Sequence, residues 1–114
     1  MGEERRQHPR YRLWIPVEYD AGGVQGGLAV NHDIGPGGML IALTADLEVG
    51  LPVRVTFTLP QAARQPVEIK GTVGRIEANK DDPDGPWRHR VAVVFDELHP
   101  ELVHALHDLV ERIH

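Results

Sequence analysis

The sequence predicts an all-β fold of six antiparallel strands, followed by one C-terminal amphipathic helix. Apolar side chains recur at every second position in several short segments, which is the periodicity of strands that bury one face. No helical pattern separates these segments, so neighbouring strands are expected to pair antiparallel. After Pro100 the apolar spacing changes to that of a helix, with a stripe formed by Leu102, Val103, Leu106, Leu109, Val110 and Ile113.

The first half of the chain alternates short apolar segments with glycine-rich ones. Residues 13–19 are predicted to form a strand with Pro16 at an edge or a bulge, because proline cannot donate to the hydrogen-bond ladder. Residues 20–27 contain four glycines and are expected to form a turn or flexible loop before a short strand at 28–31. Residues 33–38 contain too much glycine and proline for a regular element, and a tight loop is expected there.

The second half contains the clearest strand patterns. Strands are predicted at residues 39–43, 53–59, 67–76 and 89–95. A bend is expected between Gly71 and Gly74, because Ile76 falls out of the two-residue phase. Residues 81–86 are expected to form a turn. The spacing of the terminal helix fits two arrangements, one that caps an open end of a small barrel and one that pairs with its copy in a dimer.

Length and composition fit one ordinary globular domain. The chain has 114 residues, of which 41% are hydrophobic and 25% charged, and these values argue against general disorder. No run approaches the roughly 18 apolar residues of a membrane span, and the charged N-terminus does not resemble a signal peptide. We therefore expect a cytoplasmic protein without membrane insertion. The absence of cysteine excludes disulfides, a thiolate nucleophile and a thiolate zinc site.

The charge is distributed unevenly along the chain. Residues 1–12 carry four arginines and two glutamates, giving +2, whereas the other 102 residues account for the remaining −7 of the net charge of −5. A small basic patch on an acidic body suits a compact anion better than DNA, which calls for positive charge over a wide footprint. Two alternatives for this arm stay open: a solvated terminus, or arginines paired with Glu3, Glu4 or Glu18.

No signature of an enzyme is present. The chain has no serine, no nucleophile elbow and no phosphate-binding lysine loop. The acidic cluster consists of Asp81, Asp82 and Asp84; it lacks the register of a calcium loop and is interpreted as a solvated turn.

Histidine and tryptophan positions do not point to a site either. His104 and His107 lie one helical turn apart beside the apolar stripe, and a solvated helix face explains them better than a metal site. Trp14 and Trp87 are interpreted as core or rim packing. No metal site is predicted.

Two irregular stretches, one from Arg6 to Arg10 and the other from Asp33 to Gly38, together resemble the motifs of the PilZ domain family. That family carries two arginines separated by three residues just before the first strand, and later an Asp or Asn, any residue, Ser, any two residues, and Gly. Arg6 and Arg10 match the first motif, and Asp33 and Gly38 match the ends of the second, whereas Gly35 occupies the serine position. The likeness extends over nearly the whole chain.

The resemblance implies a receptor for the bacterial second messenger cyclic di-GMP. It implies a six-stranded barrel with its C-terminal helix at residues 99–114, the whole spanning residues 13–114, preceded by a flexible ligand-binding arm at residues 1–12. Such a receptor relays its signal by altered protein contacts, as a monomer or homodimer, to an unknown downstream partner. The resemblance also implies a process such as motility or biofilm formation, without identifying which one.

The residues that the resemblance assigns to the ligand are Arg5, Arg6, Arg10, Asp33, Gly35, Gly37 and Gly38. Arginine forks can stack on guanine and donate to phosphate or to the guanine edge. Asp33 can accept hydrogen bonds from the guanine N1–H and N2–H groups, and the glycines let the backbone approach the ligand closely. Each stretch also has a structural interpretation, in which Asp33 closes an Asx turn and the glycines only form the bend.

Two other functions compete with this one. A degenerate PilZ adaptor that binds no nucleotide, and acts in motility or surface-organelle assembly by protein contacts, is favoured by Gly35 and by Ala92, where the family usually has glycine. A nucleic-acid-binding barrel is disfavoured by the acidic body and by the scarcity of aromatic residues for base stacking.

Overall fold

The computed structural model describes residues 10–59 and 66–113, and the side chains of the terminal helix as far as His107. Within these ranges the chain forms seven strands and one helix: β1 (Tyr11–Arg12), β2 (Pro16–Ala21), β3 (Val24–Gly35), β4 (Gly38–Leu43), β5 (Pro52–Phe57), β6 (Val67–Ala78), β7 (His89–Phe95) and α1 (Glu101–Ile113). No helix in this part of the chain is long and apolar enough to span a membrane.

Strands β2 to β7 close into a six-stranded antiparallel barrel. The neighbours run β3, β2, β5, β6, β7, β4, and β4 pairs again with β3 to complete the ring. The short β1 is an additional strand that lies against the C-terminal part of β3. The predicted fold class, a PilZ-like six-stranded barrel with one C-terminal helix, is confirmed.

The core is built by the alternating apolar positions of all six barrel strands. Its fully buried side chains include Val17, Ile34, Met39, Ile41, Leu43, Val55, Val73 and Val91. Leu102 and Leu106 of α1 are buried in the same cluster, so the first turns of the helix pack against the barrel. Of the two arrangements that the helical spacing allowed, this contact supports capping of the barrel.

The predicted strand at 13–19 is interrupted, because Pro16 has no N–H for the ladder. β1 ends before the interruption and β2 begins at Pro16. Between them Leu13 N donates to His32 O at 3.2 Å and Ile15 O accepts from Asn31 N at 2.9 Å. The Asn31 side chain, which is fully buried, donates through Nδ2 to Leu13 O at 2.7 Å. The chain therefore stays alongside β3 without regular pairing.

The prediction of a loop over residues 20–27 is wrong for most of its length. Only Gly22 and Gly23 form a turn, and the pair Ala21 and Val24 already belongs to the β2–β3 ladder. Gly22 has a φ of 60°, which a two-residue hairpin turn requires and glycine adopts without strain. β3 is consequently 12 residues long rather than the short strand expected at 28–31.

The loop predicted at 33–38 is also wrong, because this segment is a second tight hairpin. Residues 33–35 end β3, Gly35 pairs with Gly38, and Pro36 and Gly37 alone form the turn. Glycine and proline content indicated irregular backbone, whereas here they serve a two-residue reversal between long strands.

Two predictions in the second half are confirmed. β6 is long, and its pairing with β7 shifts register between Val73 and Arg75, so a bulge lies at Gly74 within the predicted bend. β7 spans His89–Phe95, as predicted.

Candidate functional site

The structure joins two of the sequence motifs through the pairing of β1 with β3. Arg12 stands opposite Asp33 in this ladder, and the preceding Arg10 reaches the same carboxylate. Arg10 Nε donates to Asp33 Oδ1 at 3.0 Å, and Arg10 Nη2 donates to the same oxygen. The side chains of Arg10 and Asp33 keep 32% and 29% of their surface exposed, so both remain within reach of a ligand.

A β-bulge brings two consecutive side chains to the outer face of β3. In the pairing with β4 the register shifts between Asn31 and Asp33, so His32 is the extra residue. Asn31 and Ile34 are buried inside the barrel, whereas His32 and Asp33 both stay partly exposed. A regular strand would have sent one of them inward, so the bulge doubles the polar surface at this point.

The turn after Asp33 is hydrogen-bonded to the end of β7, the strand next to β4 in the barrel, and to the segment that follows it. Pro36 O accepts a hydrogen bond from His99 N at 2.8 Å, and Gly37 O accepts one from Phe95 N at 2.9 Å. These bonds link the turn to the end of β7 and to the segment that leads into α1. The turn is therefore hydrogen-bonded to the segment immediately before α1.

Gly38 has a structural requirement of its own. A Cβ at this position would lie 2.5 Å from the backbone oxygen of Val93, closer than real contacts allow. A side chain at Gly37, by contrast, would meet only Leu98 Cδ2 at 3.4 Å. Close packing of β4 against β7 thus accounts for the glycine of the second motif, and its contact with a ligand stays a prediction.

An open cleft of about 350 Å³ lies beside Asp33. Its lining residues are Arg12, Trp14, His32, Asp33, Leu40, Asp81 and Arg90. Trp14 is 67% exposed and its ring centroid lies 4.3 Å from that of His32, at a tilt of 51°. The cleft thus combines an exposed aromatic surface, two guanidinium groups and two carboxylates.

The far wall of the cleft is formed by an ion pair between β7 and the β6–β7 turn. Arg90 Nη2 donates to Asp81 Oδ2 at 3.0 Å. Arg90 Nε is buried and has no hydrogen-bond partner within the described residues. The Asp81 side chain is 83% exposed, whereas that of Arg90 is 26% exposed.

Hydrogen bonds fix the turn that carries Asp81. The buried Asn79 donates through Nδ2 to Trp87 O at 2.6 Å and accepts at Oδ1 from Asp81 N at 3.1 Å. Asp82 Oδ2 accepts from Trp87 N at 2.9 Å. The backbone of Asp81 is therefore held in place, while its side chain reaches over the cleft.

The pKa of His32 depends on its burial and on the charged groups that surround the cleft. Burial lowers the pKa of His32 below its ordinary value, and the positive charge of Arg90 lowers it further. The carboxylates of Asp33 and Asp81 act in the opposite direction, and Arg12 adds a smaller lowering. The imidazole is consequently held toward its neutral form.

The structure brings only some of the predicted site residues together. Arg10 and Asp33 are in contact, and Gly35, Gly37 and Gly38 follow in the adjoining hairpin, although none of the three lines the cleft. The predicted Arg5 and Arg6 lie outside the described residues, as does most of the predicted arm 1–12, so their roles stay predictions.

Sequence reasoning missed several residues of the cleft. These are Arg12, Trp14, His32, Leu40, Asp81 and Arg90. The alternation of apolar residues around β1 and β2 could have predicted that Arg12 and Trp14 share the outer face. The approach of Asp81 to Arg90 depends on the geometry of the β6–β7 turn, and no sequence pattern predicts it.

Among the described residues, no group of three or more His, Asp or Glu side chains is arranged to hold a metal ion.

Solved structures with the same fold include two proteins of low sequence identity. One is the inhibitor of motility MotI/DgrA of Bacillus subtilis, with 19% identity and a TM-score of 0.72 over 95% of this chain and 50% of that chain. This chain thus spans about half the length of MotI/DgrA. The other is the PilZ domain of CeSA from a cellulose-synthesizing bacterium, with 18% identity and a TM-score of 0.59 over 92% and 97% of the two chains.

A search among curated proteins finds no match. The family model of the PilZ domain matches residues 4–112, which is nearly the entire chain. The barrel topology and the contact between the two motif residues Arg10 and Asp33 agree with that match. The chain belongs to the PilZ domain family.

Proposed function

We propose that this domain is a receptor that binds cyclic di-GMP at Asp33 and the adjoining cleft, and relays the signal through altered protein contacts. The observation that carries the proposal is the contact between Arg10 and Asp33, which unites both family motifs at one exposed site. The neighbouring cleft offers further cations and an aromatic face.

The ligand's chemistry matches these groups. Its two phosphates require cations, and its guanines offer flat faces and an edge with two donors. Arg10 can donate in bidentate fashion to a phosphate or to guanine O6 and N7, and Asp33 can accept from the guanine N1–H and N2–H groups. Trp14 presents an exposed ring on which a base can stack.

Gly35 removes one contact that serine provides in the family. If that contact meets a charged group, its loss costs about 1.5 to 3 kcal/mol and weakens binding by roughly 10- to 100-fold relative to serine. The remaining arginine contacts are each of comparable size, and the binding energy therefore does not depend on this position alone.

The signal has a physical route out of the site. A ligand that shifts Asp33 also shifts the adjoining Pro36–Gly37 turn. The two carbonyl groups of this turn accept hydrogen bonds from the backbone nitrogens of His99 and Phe95. We infer that ligand binding changes the surface near the start of α1, where a downstream protein would dock. The solved relative described as an inhibitor of motility makes control of motility the first process to test.

Calorimetric titration with cyclic di-GMP tests the proposal. Wild type should bind saturably, and Arg10→Ala should lower the affinity by more than about 100-fold, because two charge-assisted contacts are lost. Arg54→Ala is the matched control: this arginine also pairs with a carboxylate, Glu68 at 3.2 Å, but it lies on β5 and not at Asp33. Equal losses in both variants would contradict the proposed location.

The second candidate is an adaptor that does not bind nucleotide. Gly35 in place of serine favours it, and so does the neutralisation of Arg10 and Arg90 by carboxylates of the same chain. A silent titration, together with a set of captured partner proteins that does not respond to added nucleotide, would support the adaptor over the receptor.

A further inference from the structure

We propose that Asp81 is a built-in competitor for the binding cleft, which occupies Arg90 until an anionic group of the ligand displaces it. The inference deepens the proposed function and rests on it only for the identity of the ligand. It assigns a binding role to Arg90 and an inhibitory role to Asp81, neither of which belongs to the two family motifs.

The geometry of the pair is that of a weak, replaceable contact. Only Nη2 of Arg90 bonds to Asp81, at 3.0 Å, whereas strong arginine pairs use two parallel bonds. The Asp81 side chain is 83% exposed, so water and salt compete with the contact. A ligand phosphate that offers two acceptor oxygens would replace a single bond with a bidentate one.

The buried Nε of Arg90 also supports replacement of Asp81 by an anion of the ligand. Nε is enclosed and lacks a partner within the described residues, which is an unfavourable state for a charged donor. The contact with Asp81 holds the guanidinium in this orientation. If the guanidinium rotated toward an anion in the cleft, both Nε and Nη2 would have an acceptor. Ligand binding would therefore supply the hydrogen-bond partner that Nε lacks in the ligand-free state.

The position of Asp81 fits a competitor rather than a structural residue. Its backbone is fixed by Asn79, and the rest of the turn is held by Asp82 and Trp87, so the turn does not need the Asp81 carboxylate. Its side chain lines the cleft together with Arg90 and the motif residue Asp33. Displacement of this carboxylate therefore leaves the fold intact.

The test compares three proteins: wild type, Asp81→Asn and the control Asp84→Asn, an exposed carboxylate of the same turn that is not part of the cleft lining. Calorimetry should give Asp81→Asn an affinity for cyclic di-GMP about two- to fivefold higher than wild type, the usual worth of an exposed ion pair. Asp84→Asn should bind as wild type does. An unchanged or lower affinity of Asp81→Asn would overturn the inference.

A double variant shows whether the effect passes through Arg90. In an Arg90→Gln background, which should itself bind more weakly, the added Asp81→Asn change should have no further effect, because the pair no longer exists. The same two- to fivefold gain in that background would mean a general charge effect and would contradict the competitor role.

Inorganic pyrophosphate separates this inference from the proposed function. Asp81→Asn should bind this simple anion more tightly than wild type, whatever the natural ligand is. A gain for pyrophosphate without any binding of cyclic di-GMP would refute the proposed ligand and keep the competitor. Cyclic di-GMP binding that is equal in wild type and Asp81→Asn would refute the competitor and keep the receptor.

Discussion

Two aspartates that precede glycine-rich hairpin turns differ in what their carboxylates bind. Asp20 lies before the Gly22–Gly23 turn, and its Oδ1 accepts from the backbone nitrogen of Gly26 at 2.7 Å. Asp33 lies before the Pro36–Gly37 turn, and its Oδ1 accepts from the side chain of Arg10. The first carboxylate closes its own hairpin, whereas the second is bound by a residue 23 positions away.

This difference separates a structural turn from a candidate site. Sequence alone left both interpretations open for Asp33, since an Asx-type contact and a ligand contact use the same residue. Asp20 accepts the local backbone hydrogen bond and lies 3.9 Å from Arg54 Nη1, whereas Asp33 accepts hydrogen bonds from the guanidinium of Arg10 at the surface. Glycine content does not distinguish the two turns, but the hydrogen-bond donor to the carboxylate does.

The sharpest test of the comparison replaces each aspartate by asparagine. Asp33→Asn should weaken cyclic di-GMP binding by about 10- to 100-fold, because a charged acceptor for the guanine edge is lost. Asp20→Asn should leave the affinity unchanged, since its carboxylate holds the backbone of Gly26 and faces Arg54 at 3.9 Å, away from Asp33. Calorimetry measures both, and a similar loss for the two variants would break the distinction.

The second test compares glycines of the same two hairpins by stability. Gly38→Ala should lower the free energy of unfolding by about 1 to 3 kcal/mol, because the new Cβ meets Val93 O at 2.5 Å. Gly23→Ala should change it by less than about 0.5 kcal/mol, since no atom lies within 4 Å of the added Cβ. Urea unfolding checks both; a stable Gly38→Ala protein would show that β4 and β7 can separate.

A third test restores the family's serine. Gly35→Ser should leave cyclic di-GMP affinity unchanged or raise it, by up to the roughly 10- to 100-fold that a hydrogen bond to a charged group is worth. The corresponding change in the other turn, Gly23→Ser, should have no effect on the affinity. Weaker binding of the Gly35→Ser protein in calorimetry would refute the interpretation of that position.

The smallest expected effect is a pH dependence from His32, which precedes Asp33 in the bulge. The pKa of His32 is lowered in the folded chain, mainly by burial, so the unfolded state binds a proton at higher pH than the folded state does. Stability should therefore fall as the pH drops below about 6.5, the value for an unperturbed histidine. His32→Gln should reduce this slope in thermal melts between pH 5 and 7, and an unchanged slope would contradict the assignment.

The periodicity of apolar residues was sufficient to predict the fold class. β7 and the bulged β6 follow it directly, because one face of each strand is buried and the other is not. The long β3 was missed, since its three glycines weaken any strand pattern. Its ends are determined by pairing with β2, β4 and β1, which is a tertiary effect.

The candidate site was predictable only in part. The motifs identified Arg10 and Asp33, and the structure brings them together. The bulge at His32 and the reach of Asp81 to Arg90 depend on the register of paired strands and on turn geometry, which no local pattern encodes. Trp14 was assigned to core or rim packing, and its exposure places it at the rim.

Chemical-shift mapping with cyclic di-GMP tests the central claim most directly, because it asks whether the ligand binds and which of the two hairpins it contacts. We predict saturable shifts of backbone amides in residues 31–40 and at Arg90, and little change in residues 20–27. No shift at high micromolar ligand, or shifts confined to residues 20–27, would contradict the account.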